Sequence, residues 1–123
     1  FATMASPGSW VVNPDWAANN ADLIVRFNRA MFKAMDFAAA ATTDDAVAQE
    51  VAGYVAKITG LDVESTIAQR YDGSWLTSAQ VLEMIDSGKL VDYYNAQQTN
   101  FGDAAGPLKA DEFVLVDLMI NAK

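Results

Sequence analysis

Apolar and polar positions along this chain follow a helical rhythm over most of its length. Leu23, Phe27, Met31, Ala34 and Ala38 recur every three or four residues, while Arg26, Arg29, Lys33 and Asp36 keep the same spacing on another face. This predicts an amphipathic helix that ends near Ala40, with Asn20 as its cap, Asp22 in the first turn where the helix dipole favours negative charge, and the basic stripe solvated. Val47, Val51, Tyr54, Val55 and Ile58 make a second apolar stripe, preceded by Thr43, Asp44 and Asp45 and stopped by Gly60. Asp62 caps a third, shorter helix with Val63 and Ile67 inward, closed by Asp72 and Gly73. Thr77 and Gln80 form a capping-box pair ahead of Val81, Leu82 and Ile85, and Gly88 interrupts. A further helix is expected from about Leu90 to Phe101, and the apolar tail from Asp111 to Ile120 reads as helix by its length and its acidic cap.

One stretch departs from that rhythm. Ser9, Trp10, Val11 and Val12 combine aromatic and β-branched residues and read as a short strand, ended at Asn13 because Pro14 disfavours helix at the residue before it. Pro14 suits the first turn of a short helix through Asp15 to Ala18. A lone strand needs neighbours for its backbone groups, so the pattern implies an α/β protein whose other strands lie in polypeptide outside these residues. The start at Phe1, with no initiator Met and no signal-peptide layout, is read the same way, as a beginning within a protein.

Composition then narrows the chemistry. The 123 residues carry 16 acidic and 8 basic side chains, a net charge of -8 that would repel a nucleic-acid backbone. No apolar run approaches the ~18 to 20 residues that a spanning helix needs. Cys and His are both absent, which removes thiolate nucleophiles, imidazole bases and Cys/His zinc patterns. Asp44 and Asp45 are adjacent, so on a helix they point apart and suit its N-terminus rather than acid-base or metal work. Asp72 with Gly73 lacks the spaced acidic ligands of a calcium loop. No catalytic residue, metal or cofactor is expected.

Three segments in register carry a resemblance. Trp10-Val11-Val12-Asn13-Pro14-Asp15-Trp16-Ala17, followed by a helix with Arg26, Phe27 and Ala30, comes first. Ile58-Thr59-Gly60-Leu61-Asp62-Val63, followed by Tyr71-Asp72-Gly73-Ser74-Trp75-Leu76-Thr77-Ser78-Ala79-Gln80, comes second, and Gln97 to Leu108 with Phe101 and Gly106 third. Together they resemble the substrate-binding proteins of taurine and aliphatic-sulfonate ABC importers, over nearly the whole chain from Ser9. Gly8, Ser9 and Asn13 at the crossover and Gly106-Pro107 near the end depart from the family pattern and leave the exact solute open.

The resemblance implies an α/β fold: the C-terminal part of a two-lobe, periplasmic-binding-protein architecture. In it, residues 1–13 form the hinge crossover, and residues 14–123 the helical part of the lobe that bears the termini. It implies an extracytoplasmic, periplasmic or secreted protein that binds taurine or a related alkanesulfonate by cleft closure, without bond chemistry, and delivers it to an ABC permease in the membrane. Its partners would be that small anionic or zwitterionic solute, the permease and the remainder of the same protein, with no nucleic acid. Thr3, Met4, Ser6 and Trp10 fall where the chain would pass the cleft and are the candidate ligand-binding residues. Three of them also have a plainer reading, Trp10 as a packing residue at a strand end and Thr3 and Ser6 as turn residues beside Pro7 and Gly8. The competing reading is a small acidic helical domain that recognises a partner protein through an apolar groove.

Overall fold

A computed structural model describes residues 9–102 and 106–123. Helices take up 73% of the described residues and no strand occurs among them, so this is a small all-helical domain. The α/β expectation is corrected: the described chain is no crossover strand followed by helices of a two-lobe fold. Ser9 to Val12 is irregular and exposed, with Val11 at 94%. The physical reason is that β-branched and aromatic residues favour a strand only where a neighbouring ladder takes up their backbone groups, and no second strand is present among the described residues to provide one.

Among the described residues eight α-helices follow in order: α1 (Pro14–Asn19), α2 (Ala21–Ala40), α3 (Asp45–Thr59), α4 (Val63–Ala68), α5 (Ser78–Asp86), α6 (Lys89–Phe101), α7 (Ala110–Phe113) and α8 (Val116–Ile120), with a 3-10 turn at Gln69–Tyr71. Their ends are set locally. The Asn13 side chain accepts from Trp16 N at 3.1 Å while Pro14 occupies the first turn of α1. Asp44 caps α3 by accepting from Ala46 N and Val47 N, and Gly60, in the left-handed region at φ 77°, ends it. Asp62 caps α4 through Ser65 N at 2.8 Å. Thr77 N donates to Gln80 Oε1 at 2.8 Å and Gln80 N donates back to Thr77 Oγ1, the reciprocal pair that opens α5.

Two expectations change in detail. Asn20 does join α1 to α2, but through its backbone carbonyl, which accepts from Leu23 N and Ile24 N; its side chain donates backward to Trp16 O. The tail is two short helices because Val114 and Leu115 leave helical geometry, with ψ of 115° and 60°.

The chain divides into two units, Phe1–Arg29 with Val81–Lys123, and Ala30–Gln80. In the first, α6 packs on α7, and Asn28 and Arg29 of α2 donate to the C-terminal carbonyls of Leu118, Asn121 and Ala122. The basic stripe of α2 is thus only partly solvated. In the second unit, α3 packs on α4. Asp36 accepts from both Ser78 N and Ser78 Oγ at 2.7 Å, tying α2 to the start of α5.

The buried residues are small. Ala17, Ala41, Ala48, Ala52, Ala110 and Ala122 account for most of them, joined by Phe32, Val81 and Ile85. On α2, Phe32 is the buried residue, with Ile24, Asn28 and Met35 beside it in helical register and half-buried, whereas Leu23 and Phe27 stay largely exposed. On α3, Ala48 and Ala52 face inward and Tyr54 and Ile58 outward, Ile58 at 86%.

Candidate functional site

Three of the four candidate ligand residues, Thr3, Met4 and Ser6, lie outside the described residues. Trp10 is described, and its surroundings are aromatic. Its ring meets Phe27 of α2 edge-on, with centroids 5.5 Å apart and planes at 85°, and it keeps 76% of its surface exposed. Beside it Ser9 Oγ and the Tyr94 hydroxyl of α6 share a 2.6 Å hydrogen bond. Tyr94 in turn meets Tyr93 at 6.0 Å and Phe113 of α7 at 6.2 Å, both edge-on. The residues from Ser9 to Trp10 therefore lie against a run of rings contributed by α2, α6 and α7, all within the first unit.

In the same unit a groove of about 510 Å³ is lined by Val91 of α6 and by the α7–α8 segment, including Val114, Leu115 and Leu118 with Asp111, Glu112 and Asp117. The Glu112 carboxylate is engaged in capping, accepting from Lys109 N at 2.7 Å. Apolar lining with acidic side chains suits contact with a polypeptide or an organic cation better than with an anion.

The second unit presents an outward apolar surface. Tyr54 and Ile58 on α3, Leu61 after Gly60, and Tyr71 and Trp75 in the following loop are all exposed. The loop itself is fixed: Trp75 Nε1 donates to Arg70 O at 2.7 Å, Tyr71 Oη donates to Thr42 O at 3.3 Å, and the Arg70 guanidinium lies 4.8 Å from the Tyr71 ring centre. Trp75 thus holds its own loop and keeps half of its surface exposed.

The titratable groups describe structure rather than chemistry. Asp44 caps α3, while Asp45 pairs with Arg70 at 2.8 Å, so the two adjacent carboxylates act apart. That hydrogen bond with Asp45 raises the Arg70 pKa. Hydrogen bonds from the Ser65 hydroxyl and backbone hold the Asp62 carboxyl below its ordinary value. Tyr54 donates to Glu50 one helical turn away, which pushes its hydroxyl pKa up. Among the described residues no three Asp or Glu side chains gather closely enough to hold a metal ion.

Sequence reasoning missed the exposed apolar set on α3 and its following loop. The signal was present: apolar residues at 47, 48, 51, 52, 54, 55 and 58 cover more of the helix than one inward stripe requires, so some of them had to face out. A scan against protein-family models and searches of curated proteins and of solved structures return no match to this chain.

Proposed function

We propose that this chain serves in a solute-binding component of an ABC importer, recognising taurine or a related alkanesulfonate outside the cytoplasm and acting by reversible association, not by catalysis. The single observation that carries an association role is the inverted distribution of side-chain size: alanines fill the interior, while Trp10, Tyr54, Ile58, Tyr71 and Trp75 lie outside. Large apolar side chains contribute most when another surface removes them from water, at roughly 25 cal/mol per Å² buried. The three segments that resemble the sulfonate-binding family supply the solute class, and both parts of the second occupy ordered junctions: Gly60 to Asp62 between α3 and α4, and Tyr71 to Gln80 leading into α5.

The all-helical architecture and the same exposed side chains also favour a second reading, a small acidic interaction domain for a protein partner. Calorimetry of the protein in its longest expressed form against taurine, other alkanesulfonates, nitrate and pyrimidine precursors separates the two. Saturable heat with a sulfonate supports the importer reading. No heat with any of the solutes, together with a stoichiometric protein complex in native mass spectrometry, replaces it with the interaction domain.

A further inference from the structure

The groove of about 510 Å³ in the first unit has an apolar floor and an acidic rim. Val91 of α6 and Val114 and Leu118 of the α7–α8 segment are half-buried, and Leu115 beside them keeps 39% of its surface exposed. The rim is Asp111, Glu112 and Asp117, all exposed, and no lysine or arginine lines the groove. Ion pairs among the described residues join Arg70 to Asp45 and Lys123 to Asp86, and neither involves the rim. The Glu112 carboxylate accepts from Lys109 N. Asp111 and Asp117 make no side-chain hydrogen bond or ion pair among the described residues, so their charge stands unmatched beside apolar surface.

Charge complementarity selects the occupant. With 16 acidic and 8 basic side chains in the chain, an anion is repelled both by the molecule as a whole and by the rim. A small cation answers one carboxylate and leaves the other, and most of the floor, in water. An amphipathic basic helix answers both features at once: apolar side chains three and four residues apart enter the groove, and flanking lysines or arginines reach the carboxylates. Exposed charge pairs each contribute little, so burial of the floor supplies the affinity, while the rim supplies orientation and discrimination.

We infer that this groove docks a basic amphipathic helix of a partner protein, its apolar face on Val91, Leu115 and Leu118 and its cationic side chains on Asp111 and Asp117. The inference rests on the interaction-domain reading and names the surface and the class of partner. Heteronuclear NMR titration of the whole chain with three synthetic peptides of equal length tests it: a leucine/lysine amphipathic helix, the same pattern with glutamate for lysine, and a lysine/serine peptide of the same charge. The expected result is saturable shifts of the Val91, Leu115 and Leu118 amides with the leucine/lysine peptide. The lysine/serine peptide should bind about tenfold more weakly or less, and the leucine/glutamate peptide should produce no saturable shift. Asp111→Asn with Asp117→Asn should weaken the leucine/lysine peptide about three- to tenfold, the scale of two exposed pairs. Glu64→Gln with Asp72→Asn, the same charge change at exposed positions of the second unit, should leave it unchanged. No saturable shift with the leucine/lysine peptide, equal binding of the lysine/serine or leucine/glutamate peptide, or shifts centred on Tyr54 and Ile58 would overturn the proposal. The three-peptide comparison on the native chain decides it even if a variant does not fold. A stoichiometric protein complex in native mass spectrometry, with a groove that ignores the leucine/lysine peptide, sinks this inference alone. Saturable heat with a sulfonate and no protein complex removes the interaction-domain reading and the inference with it.

Discussion

The two units hold their distant segments together by different chemistry. In the first, neutral amides and one guanidinium reach backbone groups: Asn28 donates to Leu118 O, Arg29 to Asn121 O and Ala122 O, and Asn95 Oδ1 accepts from Ala110 N. In the second, carboxylates do the equivalent work: Asp36 with Ser78 and Asp45 with Arg70. A carboxylate makes stronger hydrogen bonds than an amide but answers to protons and salt. The second unit is therefore the one whose long-range ties depend more on solution conditions.

The largest test of that contrast concerns packing. Phe32 is the bulkiest buried side chain of the second unit, and Phe32→Ala should destabilise that unit by about 3 kcal/mol. Residue-resolved amide exchange is the measurement, with protection lost over α3 and α4 and largely kept over α6 and α7. Equal losses in both would show that the units do not open separately.

Next in size is Asp36→Ala, which leaves the first turn of α5 without its acceptor. About 1 to 2 kcal/mol is expected, on the scale of a helix cap with charged hydrogen bonds. Denaturant melts of Asp36→Ala and Asp36→Asn together check it, because the amide should recover part of the loss.

In the first unit, Asn28→Ala removes one part-buried bond to Leu118 O and should cost about 1 kcal/mol, with increased exchange confined to α8. That loss should be the same at low and high salt, since neither partner is charged. A salt-dependent loss would break the contrast.

The smallest effect is at Asp62. Its folded-state pKa lies below the unfolded value, so its contribution is present above the ordinary carboxylate range and is lost as pH falls through the lowered folded value. Asp62→Asn should flatten the acid limb of an α4 exchange profile below about pH 4 and leave the profile at neutral pH parallel to that of the native chain. An unchanged acid limb would remove Asp62 from the account.

Helix boundaries were legible in the sequence where a single residue type determines them. Asp44, Gly60, Asp62 and the Thr77–Gln80 pair act within one turn of themselves, so their roles do not depend on the rest of the fold. Helix faces were harder. In α2, Leu23, Ile24, Val25 and Phe27 are all apolar, so periodicity does not choose among stripes, and packing selected Phe32 over the Leu23 and Phe27 line. The strand reading failed because strand formation is a property of a pair of segments and Trp10 to Val12 is one. The break at Val114 and Leu115 carried no Gly or Pro to announce it. Of the candidate site, Trp10 alone falls among the described residues, and its ring partner Phe27 was assigned to the opposite environment.

Ala110 has no exposed surface, and its amide is held by Asn95 at 3.0 Å. A methyl group already fills its place, so every replacement except glycine adds atoms. A saturation library across residues 108–113 should therefore accept little at this position beyond glycine and serine, while the exposed neighbours on either side tolerate wide replacement.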